Sequence, residues 1–160
     1  MIRVRRWRGA FRALSVVITL RLHTELGLTG VPIWYKLGLM YIKRKLEEVI
    51  KANLFQGKVI VVYGARQVGK TTLVRKIAEE VVDSYGYLNC DELDVLGKLQ
   101  NAGTSEALRR VIGDQKLVVI DEAQRVKNIG LKLKLMVDNF PGTQIIATGS
   151  SSFDLANEVN

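Results

Sequence analysis

At 160 residues and 48% hydrophobic content, the chain is long enough to bury one domain-sized core and too apolar to remain disordered throughout. One cysteine excludes an internal disulfide, and a single histidine beside it leaves no zinc-ligand cluster. The net charge of +8 is uneven: residues 1–35 hold six arginines, no lysine and one acid, while all twelve lysines lie at Lys36 or later.

That break divides the chain into a basic N-terminal extension, 1–39, and an orderly segment, 40–160. Met1 to Arg12 is arginine-rich, and Ala13 to Leu20 is an uncharged apolar run ending at Arg21. Basic followed by apolar is the order of a secretory signal, but the run is short and no convincing small-x-small cleavage site follows. The run is also far too short to span a bilayer. Three readings stay open. The abrupt loss of lysine favours Met40 as the natural start. Alternatively, Arg3, Arg5, Arg6, Arg8 and Arg12, with Trp7 to stack on bases, form an arm for nucleic acid or a membrane surface. The third is a targeting segment. His23 lies far from any motif and reads as a solvated or satisfied side chain.

From Met40 the pattern is regular. Ile42, Leu46, Val49, Ile50 and Leu54 recur at helical spacing between charged residues, and Gly57 is placed to stop that helix. Lys58 to Tyr63 is a short, β-branched run that suits a buried parallel strand. Next comes Gly64-Ala65-Arg66-Gln67-Val68-Gly69-Lys70-Thr71-Thr72, which meets the P-loop (Walker A) pattern G-x-x-x-x-G-K-[ST] at every fixed position. Leu73, Val74, Ile77, Ala78, Val81 and Val82 then mark a helix. A loop between strand and helix turns successive N–H groups and the positive helix end onto an anion. Lys70 can reach the β- and γ-phosphates, and the Thr71 hydroxyl can bind Mg²⁺.

Tyr85 to Cys90 reads as a second strand, with Cys90 a small core residue rather than a nucleophile. Asp91 is placed to cap a helix carrying Leu93, Leu96 and Leu99, and Thr104 or Ser105 to cap another closed by Gly113. Lys116 to Asp121 is a third strand. Ile129 to Phe140 reads as a helix, although Leu-Lys-Leu-Lys-Leu at 131–135 would also suit a strand. Thr143 to Thr148 is a fourth strand. Alternating strands and helices predict a three-layer α/β/α fold on a parallel sheet.

Two strand tips carry further polar groups. Asp121, ending four apolar residues, is placed to hold Mg²⁺ through water, and Glu122 to take a proton from or orient an attacking water (Walker B). Thr148 or Ser150 is placed to hydrogen-bond the γ-phosphate or that water. The alternative is that Ser151 or Ser152 caps a helix at Phe153.

"YGARQVGKTTL", "LVVIDEAQRV" and "IIATGSSSFDL", in this order, resemble the bacterial and archaeal AAA+ ATPase family called AAA_14, over about residues 40–160. The single cysteine fits a cytoplasmic setting, and the resemblance implies a P-loop NTPase fold and an Mg²⁺-dependent ATPase, with a homo-oligomer as one option. It assigns Gly64, Gly69, Lys70 and Thr71 to phosphate and metal, Asp121 to the metal-bound water, Glu122 to the base and Thr148 or Ser150 to sensing. Asp121-Glu122-Ala123-Gln124 matches the family's Asp-Glu-x-Gln. Similar proteins add a fifth strand, an arginine finger and a helical lid, so this chain is expected to be a fragment, incomplete at its C-terminus. With a sheet order of 5-1-4-3-2, the outer edge of the P-loop strand would be open. The alternatives are a non-hydrolysing nucleotide switch gating an attached domain, or a nucleic-acid module led by the arginine arm. No client can be named.

Overall fold

The computed structural model describes residues 2–6, 16–20 and 46–150. Trp7, Arg8, Arg12, His23, Ile42, Ser151, Ser152 and Phe153 lie outside the described residues.

Six strands form one sheet: β1 (Ile2–Arg6), β2 (Val16–Leu20), β3 (Ile60–Gly64), β4 (Gly86–Asn89), β5 (Leu117–Asp121) and β6 (Gln144–Gly149). Their order is β1-β2-β3-β6-β5-β4. β1 runs antiparallel to β2, and every other pairing is parallel. β6 thus separates the P-loop strand β3 from β5, as the sequence predicts. The expected open edge is corrected. β2 pairs with β3 from Val16 opposite Ile60 to Leu20 opposite Gly64, so the N-terminal apolar run satisfies backbone groups that would otherwise face solvent.

Residues 46–52 are helical (α1). They are followed by α2 (Lys70–Val81), α3 (Leu93–Asn101), α4 (Ser105–Ile112) and α5 (Ile129–Asn139). Strand alternation sorts the core into two layers. Ile60, Val62, Leu117, Val119 and Ile146 pack with Leu46 and Ile50 of α1 and Leu73, Val74 and Ile77 of α2. Val61, Val118, Ile120, Ile145 and Ala147 face the other way, onto α3, α4 and α5 through Leu99, Leu108, Leu133 and Met136. Each fully buried Ile, Leu or Val contributes about 1.5–3 kcal/mol. The result is the α/β/α sandwich that the chain order predicts.

Several local readings change. Residues 131–135 are helical, because Ile129, Lys132, Leu133 and Met136 form the buried stripe of α5 and leave Leu131 exposed. Leu93, expected on the buried face of α3, is 78% exposed. The N-cap of α3 is Glu92, with no side-chain cap bond, rather than Asp91. The caps of α4 are as expected: the Thr104 hydroxyl accepts from the Ala107 N–H at 3.2 Å, and Gly113 closes the helix with φ 66°.

Candidate functional site

The loop 64–69 joins the buried end of β3 to the first residue of α2. Gly69 occupies the N-cap of α2 at φ 82°, a left-handed conformation that strains any residue with a Cβ. It brings no side-chain cap, and the first turn of α2 carries no acid. The helix therefore presents uncompensated N–H groups and its positive end toward the loop. Gln67 is also left-handed, at φ 62°. Ala65, Arg66, Gln67, Gly69 and Thr72 are exposed, and Val68 and Thr71 half-buried. Lys70 is buried, and its ammonium donates to the Gly64 carbonyl at 3.0 Å and the Ala65 carbonyl at 2.9 Å. That holds the ammonium over the strand exit.

Asp121, at the tip of β5, is only 5% exposed, so its carboxylate needs donors. Three hydroxyls supply them. Thr71 donates across both oxygens, at 2.9 and 3.1 Å. Tyr87, on the neighbouring β4, donates to Oδ2 at 2.7 Å. Thr148, at the tip of β6, donates to Oδ1. Burial first, then the bond to Asp121, pushes the Tyr87 phenol well above its ordinary range, so it remains a donor. Its ring also carries the Arg75 guanidinium, 5.2 Å from the centroid. Tyr87 was not singled out in the sequence. The available signal was its place two residues before Asn89, which lies opposite Asp121 in the sheet register.

Thr148 is fully buried, and its hydroxyl also accepts from the Glu122 N–H at 3.2 Å. Both of its bonds thus tie Asp121 and Glu122 together. Glu122 sits at φ 52°, left-handed, where a residue with a Cβ persists only if its surroundings fix it. The Thr148 contact is one such restraint. The other is Gln124, whose amide donates to Glu122 Oε2 at 2.6 Å. Glu122, Gln124, Arg66, Arg125, Ala65 and Ser150 surround an open hollow beside the loop. Arg125 pairs with Asp91 at its rim, which accounts for both residues. Cys90 is buried, and burial pushes its thiol up to about 12, so it is a core thiol and not a nucleophile.

The structure thus brings Lys70, Thr71, Asp121, Glu122 and Thr148 together at the C-terminal ends of parallel strands, with Ser150 at the edge of the hollow. That is where open α/β sheets place ligands. Among the described residues no cluster of three His, Cys, Asp or Glu side chains could hold a metal alone. A hydroxyl and one carboxylate in contact are hard oxygen donors, and they suit a cation that brings further oxygens with its ligand.

A mostly parallel sheet covered on both faces, with a glycine loop feeding a helix N-terminus beside an acidic strand tip, defines an α/β domain of the P-loop NTPase-like class. The chain belongs to the AAA domain family AAA_14, whose model matches residues 56–160. Membership points to nucleotide binding and to ATPases in general. No match was found among curated proteins or among solved structures. Among the described residues no helix is long and apolar enough to cross a membrane.

Proposed function

We propose that the chain binds Mg-ATP on the loop 64–72 and hydrolyses it, and that the nucleotide cycle drives or gates an attached domain. In this reading residues 40–160 carry the nucleotide domain, and the setting is cytoplasmic. One observation carries the reading most directly: the Thr71 hydroxyl donates to Asp121 at 2.9 Å. A hydroxyl that spends its proton on a carboxylate keeps its lone pairs for a cation. Asp121, already taking three hydroxyls, has acceptor capacity left for a metal-bound water.

The Mg²⁺ would be held by Thr71 and, through water, by Asp121, and when bound it would offset phosphate charge. The remaining work falls to the chain. Backbone N–H groups from Ala65 to Thr72 and the α2 dipole bind the phosphates. Lys70 exchanges its carbonyl partners for phosphate oxygens. Glu122, fixed at its backbone by Thr148, accepts the proton of the attacking water. Thr148 acts through Asp121 and Glu122, which leaves Ser150, beside the hollow, as the hydroxyl placed to meet a phosphate.

Titration of a fluorescent ATP analogue in the presence of Mg²⁺ tests the site. Lys70→Ala is expected to weaken binding at least about tenfold, because a charge-assisted bond to phosphate contributes about 1.5–3 kcal/mol. Unchanged affinity in that variant would remove Lys70 from the site.

A further inference from the structure

The roles assigned so far leave one side chain of the short turn Ala123–Arg125 unexplained. Gln124 Nε2 donates to Glu122 Oε2 at 2.6 Å. An ionised carboxylate only accepts, so the amide nitrogen must face Glu122 and the amide oxygen must face away. That oxygen, Oε1, is buried and has no hydrogen-bond partner, and among the described residues it is the only side-chain atom in that position. An orphaned buried acceptor destabilises a fold, and a leucine of similar size would remove it. Such an atom calls for an explanation, and water, an ion or a catalytic role are the usual ones. Here it belongs to a residue that lines the hollow together with Glu122.

We propose that Gln124 is a positioning residue for hydrolysis: its N–H fixes the Glu122 carboxylate, and the unpartnered Oε1 is the cost of holding the amide in that orientation. The inference rests on the hydrolytic reading above. A carboxylate fixed in this way takes one hydrogen of the attacking water and turns the water's lone pairs toward the γ-phosphorus. The water oxygen then bonds to that phosphorus. The bond from the γ-phosphorus to the β–γ bridging oxygen breaks, and ADP leaves with the electron pair. One water proton passes to Glu122, and the other stays on the phosphate product. Glu122 is thus held at both ends, by Thr148 at its backbone N–H and by Gln124 at its carboxylate.

The test is single-turnover hydrolysis of radiolabelled ATP by excess chain, run on the parent, Gln124→Leu, Glu122→Gln and the double variant. Affinity for a fluorescent ATP analogue and the thermal midpoint are measured alongside. Gln124→Leu is expected to slow hydrolysis about tenfold or more, as loss of a positioned acid–base interaction does. Its affinity should stay within about twofold, and its midpoint should change little, since the lost bond to Glu122 and the removal of the orphaned acceptor offset each other. In the Glu122→Gln background the leucine should cause no further fall, because Gln124 acts through Glu122. A parental rate in Gln124→Leu, or an additive fall in the double variant, overturns the proposal. Should the leucine lower the midpoint, Gln124→Glu decides: it keeps the acceptors and loses the donor, and a parental rate there also overturns it. If Glu122→Gln itself turns over at the parental rate, the hydrolytic reading fails instead.

Discussion

Replacing Thr148 by valine separates two roles that its position in the sequence allows. Valine has nearly the same shape, so the change deletes a hydroxyl and leaves the packing. A sensor that touches only phosphate would cost rate and no stability. In the structure that hydroxyl is buried, donates to Asp121 and accepts from the Glu122 N–H. Losing a bond to a charged acceptor costs about 1.5–3 kcal/mol, and the lower end applies because Asp121 keeps Thr71 and Tyr87. The orphaned Glu122 N–H adds about 1–3 kcal/mol, for a sum of about 3 kcal/mol. At about 2.1 cal/mol/K per residue, unfolding 160 residues carries about 0.34 kcal/mol/K, so the midpoint should fall by roughly 9 °C. Thermal melting by circular dichroism reads this directly, and Thr148→Ser, which keeps the hydroxyl, should recover much of the loss. A valine variant that melts within about 1 °C of the parent would refute the buried-tie reasoning and return Thr148 to the phosphate.

Tyr87→Phe keeps the ring under Arg75 and removes only the bond to Asp121; it should lower the midpoint by roughly 4 °C, from about 1.5 kcal/mol, and an unchanged melt would show that the hydroxyl carries nothing. Lys132 is buried, donates to the Ala102 carbonyl at 2.7 Å and the Gln100 carbonyl at 3.3 Å, and is held below the ordinary lysine value of 10.5 by burial. The unfolded chain therefore binds the proton more tightly, and stability attributable to this group rises as pH climbs from its lowered folded value toward 10.5. Urea midpoints of the parent and Lys132→Met, compared at neutral pH and in that alkaline window, should show the parent gaining on the variant; parallel curves would mean that Lys132 keeps an ordinary affinity for its proton.

What the sequence disclosed was whatever depends on neighbours along the chain. The glycine loop, Lys70, Thr71 and the Asp121-Glu122 tip follow from a local pattern, and the two-layer core follows from strand alternation. What depended on neighbours across the sheet was hidden. Tyr87 meets Asp121 only because β4 pairs with β5 in one register, and a slip of one residue would turn its ring to the other face. The left-handed backbone of Glu122 and the orphaned oxygen of Gln124 have no sequence signature, since glutamate rarely adopts that conformation and glutamine is unremarkable in a turn. The alternating 131–135 segment suited a strand because period two and period 3.6 coincide over so few residues; the stripe from Ile129 to Met136 decides for the helix. The apolar run ending at Leu20 has the composition of a strand and of a short signal core alike, and the structure pairs Val16–Leu20 with β3.

Asp121 joins the fold to the chemistry. A carboxylate offers about four lone-pair sites, and hydroxyls from α2, β4 and β6 already draw on them. A cation binding Asp121 directly would compete with those hydroxyls, and so with ties between secondary-structure elements. A cation that takes the lone pairs of Thr71 and reaches Asp121 through water leaves all three in place. The second route costs less, so this part of the site is built before any ligand arrives. The loop is different. Lys70 spends two of its three donors on the Gly64 and Ala65 carbonyls, so it can meet a phosphate with the third or by giving up a carbonyl. Two neutral carbonyls are weaker partners for an ammonium than a polyphosphate carrying several charges. Such an exchange would favour a ligand with concentrated negative charge, and in the proposed reading any rearrangement would begin at the exit of β3, on the strand whose other edge β2 covers.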